Sequence, residues 1–150
     1  MLEPSAGGAA KVARKGAGVF TVRFRGRAVA QLTEGVPRRP WTEFAECPDE
    51  DFRDPGRVHV DPLGNVHLCQ GLLMGNAFTR PIGDILTDWR PESHPVAGPL
   101  IAGGPAELAR AAGMADASAV SACHLCFKAR SAMREKHEEA LGPREVYGED

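Results

Sequence analysis

Aromatic side chains are scarce in this chain: they make up 6% of its 150 residues, with two Trp and a single Tyr. A core with so few large rings is filled by aliphatic and small side chains, and such a core often needs a staple, for instance a metal. No stretch approaches the ~20 consecutive apolar residues of a membrane span. Residues 1–18 also lack the continuous apolar run of a secretory signal. Missing as well are a phosphate-cradling Gly-x4-Gly-Lys-Ser/Thr loop, a helical paired-His metal motif and a Ser/His/Asp set. Phosphate transfer, zincin-type proteolysis and triad hydrolysis therefore find no support. No internal repeat is visible.

What is present is 43% hydrophobic residues, 17 Gly and 12 Pro, which allow one core with much loop. The length fits one domain, or one domain and an arm. The net charge of −2 argues against a nucleic-acid partner for the whole chain, but the charge is uneven. Residues 1–40 carry eight Lys/Arg against two Glu, and residues 41–150 carry ten against eighteen Asp/Glu. We read 1–40 as a basic, loosely ordered arm with a remnant strand and a linker, and 41–150 as the folded body with a solvated acidic surface. Without a secretory signal the expected location is the reducing cytoplasm, where four cysteines favour metal ligation over disulfides.

Met1 to Gly18 has no hydrophobic period and is expected to be disordered. Val19–Phe24 alternates like a short strand whose partner is not evident. Ala28–Leu32 reads as one helical turn and Gly35–Pro40 as a linker. Trp41 and Phe44 are spaced as anchors on a helical turn ahead of Cys47. Arg57–Cys69 reads as a hairpin: Val58 and Val60 on one strand, Asp61–Asn65 as the turn, Val66 and Leu68 on the second strand, with His67 and Cys69 on its other face. Gln70–Asn76 is expected to be a glycine-bounded loop. A short helix follows, with Ile82, Ile85, Leu86 and Trp89 on one side. Pro91–Gly104 is expected to be loop, and Pro105–Ala112 a helix. A long last helix is expected from about Cys123 to Ala140, with Leu125, Phe127 and Met133 buried and Lys128, Arg130 and Arg134 on its charged face.

The cysteines are spaced Cys47-x21-Cys69-x53-Cys123-x2-Cys126. A Cys-x2-Cys pair brings two thiolates within reach of one metal, about 2.3 Å from each sulfur for zinc. Cys47 and Cys69 complete a tetrahedral set. With Cys123 and Cys126 at a helix start, free amides and the dipole favour an anionic cluster. Four thiolates suit zinc or an iron–sulfur cluster alike. His59, His67 and His124 need be no more than neighbours of the site; His94 and His137 read as solvated, and Asp61 as a turn residue.

The run Arg57-Val-His-Val-Asp-Pro-Leu-Gly-Asn-Val-His-Leu-Cys-Gln-Gly71, followed by Gly75-Asn76 and Ile82-Gly-Asp-Ile-Leu86, resembles the auxiliary-cluster (SPASM/Twitch) region of radical SAM proteins. Gly64-Asn-Val-His-Leu-Cys69 matches that region's Gly-x4-Cys hairpin. Cys123-His-Leu-Cys126-Phe-Lys-Ala-Arg130 and Pro143-Arg-Glu-Val-Tyr-Gly148 look like one branch of the superfamily. The resemblance implies an auxiliary 4Fe-4S cluster held by Cys47, Cys69, Cys123 and Cys126, with an electron-relay or substrate-pocket role. It also implies a missing part: the Cys-x3-Cys-x2-Cys loop of the SAM-cleaving core is absent, so no SAM binding is expected from this chain alone and no catalytic residue is assigned. The implied partner is a radical SAM core, acting in trans or lost by truncation, with residues 19–27 as the tail of its barrel. The other reading is a structural zinc-binding interaction module. The expected fold is α+β: a small hairpin and short helices around a four-cysteine site, with a long C-terminal helix and a flexible N-terminal arm.

Overall fold

The computed structural model describes residues 2–4, 9–14 and 17–148, with side chains described for 22–148. The fold is α+β, with short helices and small antiparallel sheets. The first sheet comprises β1 (Leu2–Pro4), β2 (Ala9–Arg14) and β3 (Ala17–Arg23) in sequential antiparallel order. The strand expected at Val19–Phe24 thus has its partner in a stretch read as disordered. Backbone ladders need no hydrophobic period, so an Ala/Gly/Lys-rich segment pairs without announcing it. The rest of that stretch lies outside the described residues.

Residues 22–40 do not form the flexible arm expected of them. Phe24 is fully buried and shares a small cluster with Val36 and Val120. After α1 (Arg27–Gln31), the expected helical turn, β4 (Arg39–Pro40) pairs with β8 (Ser118–Ala119).

The hairpin forms as expected from β5 (His59–Val60) and β6 (Asn65–Cys69), with His59 opposite His67. The sheet gains a third strand, β7 (Leu72–Asn76), where a loop was expected. Two residues, Gln70 and Gly71, turn the chain from Cys69 to its partner Leu72. Gly71 has φ +80°, and a Cβ there would lie 2.7 Å from the Tyr147 ring, so the turn needs glycine on both counts. The doubled Leu and the internal Gly75 hide the strand's alternation.

Helix α2 (Ile82–Thr87) buries Ile85 but leaves Ile82 and Leu86 exposed. Trp89 is anchored by donating from Nε1 to the Phe52 carbonyl at 2.8 Å. Helix α3 (Ala97–Ala111) begins within the expected loop and is broken at Gly103–Gly104, so the expected turn-on at Pro105 is the restart of a kinked helix. His94, read as solvated, is half-buried. Its Nδ1 accepts from the amides of Val96 and Ala97 and so caps α3.

Helix α4 (Ala122–Met133) is three turns long, shorter than the expected long C-terminal helix. Its last turn tightens to 3₁₀ over Arg134–Lys136, and the His137 amide bonds back to Met133 and Arg134. Beyond Met133 only Arg, Glu, Lys and His follow until Ala140, so no apolar stripe remains to hold further turns to the core.

The main core lies between β6–β7 and the α3–α4 pair: Leu68, Leu72, Leu100, Leu108, Leu125 and Leu141, with Ala97, Ala109, Ala122 and Ala129 between them. Each fully buried Leu contributes about 1.5–3 kcal/mol. The alanines let α3 and α4 pack closely, which is how a chain with few aromatics closes its interior. No helix of the described residues is long and apolar enough to cross a membrane.

Candidate metal centre

Each cysteine is delivered by a different local device. Cys47 follows the 3₁₀ turn Trp41–Glu43 and the buried Phe44. The loop is pinned from the α3 kink: the Ala106 amide donates to the Phe44 carbonyl at 2.9 Å. Gly104, φ +65°, lies so close that a Cβ would come within 2.3 Å of the Glu46 nitrogen. Cys69 is the last residue of β6. Cys123 and Cys126 sit at the start of α4, whose N-cap Ser121 accepts from the His124 amide at 3.1 Å. Residues 123, 126 and 130 fall on one helical face.

These four residues, all free thiols, line one cavity together with Arg25, Asp49 and Arg130. It holds about 20 Å³, room for a water. Among the described residues, no three His, Cys, Asp or Glu side chains converge closely enough to hold a single metal ion.

The sulfurs are met by hydrogen-bond donors. Arg25 Nη1 donates to Cys69 Sγ at 3.0 Å. The amides of Asp49 and Glu50 face the Cys47 sulfur. In the opposite sense, Cys123 Sγ donates to Asp49 Oδ2 at 3.1 Å. The other Asp49 oxygen pairs with Arg23 at 3.0 Å, and Arg23 reaches Glu50 at 3.7 Å. Alternation around the buried Phe24 therefore sends Arg23 and Arg25 to the cysteine side.

Arg130 is 1% exposed. Its Nη1 donates to the Gln70 carbonyl and its Nε to the Cys126 carbonyl at 3.4 Å. Among the described residues it has no carboxylate partner. Burial works against its charge, but Cys126, Cys69, Tyr147 and Cys123 together raise its pKa. Burial pushes the Cys126 thiol up to about 11, with Arg130 pulling the other way. Burial also raises Cys123, helped by Asp49, and raises Cys47 against its two amide donors.

The histidines stay outside this cavity's lining. His59 is exposed. His67 Nε2 is 3.0 Å from Asp61 Oδ2, and His124 Nδ1 accepts from the Val120 amide at 3.1 Å. Burial first, then Arg38 and Lys128, lowers His124 to about 4. Asp61 does serve the turn, accepting from the amides of Leu63 and Asn65.

The sequence reading missed Arg25, Asp49 and Arg130. Arg130 was placed on the charged face of α4, although its position four residues after Cys126 puts it on the cysteine face. Arg25 was visible only through the Arg-Phe-Arg alternation.

The fold and site together define a small α+β domain built round a four-thiol cavity with buried positive charge. No protein-family model, no curated protein and no solved structure matches the chain.

Proposed function

We propose that this chain is an iron–sulfur protein domain in which Cys47, Cys69, Cys123 and Cys126 hold one 4Fe-4S cluster, as the likeness to radical SAM auxiliary domains implies. The observation that carries the reading is Arg130. A guanidinium buried without a carboxylate costs several kcal/mol, and the groups around it that can become anions are chiefly the cysteines. Four thiolates around a cluster supply the missing negative charge. The donors from Arg25 and from the Asp49 and Glu50 amides suit sulfurs that carry that charge.

One feature favours a cluster over a single zinc ion: the cysteines do not converge as a mononuclear site requires, and a cluster spans thiols that one ion cannot reach together. The cavity has room for a water only, so its walls must move apart to admit a cluster.

Bound there, a cluster supplies one-electron chemistry. The chain's own part is to orient the thiols, to counter their charge with Arg25 and Arg130 once metal binding has displaced their protons, and to bury them. All four cysteines are used in one site, which leaves no open iron. S-adenosylmethionine cleavage therefore belongs to a separate radical SAM core, with this domain as its electron relay or as a wall of its substrate pocket.

Anaerobic reconstitution tests this. The expected result is about four irons and four sulfides per chain with brown absorbance, lost in Cys→Ser variants at each of the four positions. A colourless protein holding one zinc refutes the cluster and favours the structural zinc module.

A further inference from the structure

A second cavity, of about 470 Å³, adjoins the first, and Arg25 lines both. Its walls are largely apolar: Val60, Pro62, Leu63, Pro143 and Val146. The volume lies in the range of small-molecule sites, which pair apolar walls with a few polar anchors. Arg25 is the one guanidinium in this lining, and it has no carboxylate partner among the described residues; its hydrogen bond is to the Cys69 sulfur. The carboxylates that share the lining are occupied or peripheral. Asp61 accepts from Asn65, Leu63 and His67, and Glu145 is exposed.

We infer that this cavity binds a small apolar carboxylate, its anionic end on Arg25 and its hydrocarbon body against Val60, Leu63, Pro143 and Val146. A planar guanidinium donates two parallel hydrogen bonds to a carboxylate, a geometry that a single sulfur cannot accept. The ligand therefore draws Arg25 away from Cys69, and the two cavities are coupled through one side chain. The cavity can be filled in the chain without iron, so binding measured before reconstitution tests this site alone, and its failure and the failure of the iron–sulfur reading are told apart.

The test uses the full chain with 3-phenylpropanoate as probe, by isothermal titration and ligand-observed NMR, before and after iron–sulfide reconstitution. The expected result is saturable binding, weakened at least tenfold for 3-phenylpropanamide, for Arg25→Gln and for Leu63→Asp. Arg57→Gln, at an exposed arginine outside this lining, leaves binding unchanged. Circular dichroism checks that each variant is folded, and Arg25→Lys restores part of the affinity. Equal binding of acid and amide, undiminished binding to folded Arg25→Gln, or no binding to the wild-type chain overturns the assignment.

Discussion

Replacing Arg130 by Met separates an arginine kept for folding from one kept for charge. In the metal-free chain the guanidinium is 1% exposed, faces protonated thiols and donates to two carbonyls. Removing it relieves a desolvation cost of several kcal/mol. It also forfeits two charged hydrogen bonds of about 1.5–3 kcal/mol each. The Met side chain keeps the apolar volume. These effects offset, so Arg130→Met leaves metal-free stability within about 2 kcal/mol of wild type. In the loaded chain the thiolates lose a buried counter-charge, and breaking such a pair costs about 3–5 kcal/mol. The stabilisation conferred by the cluster should therefore fall by about that amount, roughly two to four orders of magnitude in apparent affinity. Urea unfolding of metal-free and reconstituted protein, wild type and variant, measures all four corners of the cycle. If Arg130→Met strongly destabilises the metal-free chain and the loaded chain equally, Arg130 is only a structural bridge to Gln70 and Cys126, and the charge argument fails.

Gly104→Ala forces a Cβ to within 2.3 Å of the Glu46 backbone at a positive φ. It should destabilise the chain by about 2 kcal/mol or more and reduce iron content by shifting the Cys47 loop, whereas Gly83→Ala, in α2 with nothing within 4 Å of its Cβ and no positive φ, keeps full iron content. His94 has its pKa lowered, by burial first, and its Nδ1 lone pair caps α3. The unfolded chain then binds the extra proton more readily, so stability should fall as pH drops below about 6.5, by at most about 1.4 kcal/mol per pH unit. His94→Gln should flatten that part of the profile in thermal melts. Asp61 is drawn down to about 2 despite its burial, by hydrogen bonds from Asn65, His67 and Leu63. Its contribution to stability is present above pH 4 and lost as pH falls toward 2, and Asp61→Asn should remove that acid limb.

Local chemistry made some of the fold legible. The Asp61–Asn65 turn, the Trp41 turn ahead of Cys47, the start of α4 at its Cys-x2-Cys and the restart at Pro105 follow from residues within a few positions of one another. What was hidden depended on distant partners. The β2 strand exists because β3 lies beside it, and β7 because Gly71 and Tyr147 make room for its turn. The end of α4 is set by where the core stops, not by a breaker. Around the cysteines the same division holds. The thiols could be named from spacing, but the arginines could not. Arg25 reaches Cys69 across 44 residues, and Arg130 looked like one charge among many on a charged helix.

The cavity draws on segments scattered from Arg25 to Arg130, and this fixes a timetable. During synthesis Cys47 and Cys69 emerge early, while the pair at Cys123 and Cys126 comes last, with Arg130 just behind. Until then the early thiols have neither their ligand partners nor their main buried cation. Contacts of such long sequence separation also form slowly. On the proposed cluster reading, metal delivered to the nascent chain would find half a cage, so loading would belong to the finished polypeptide.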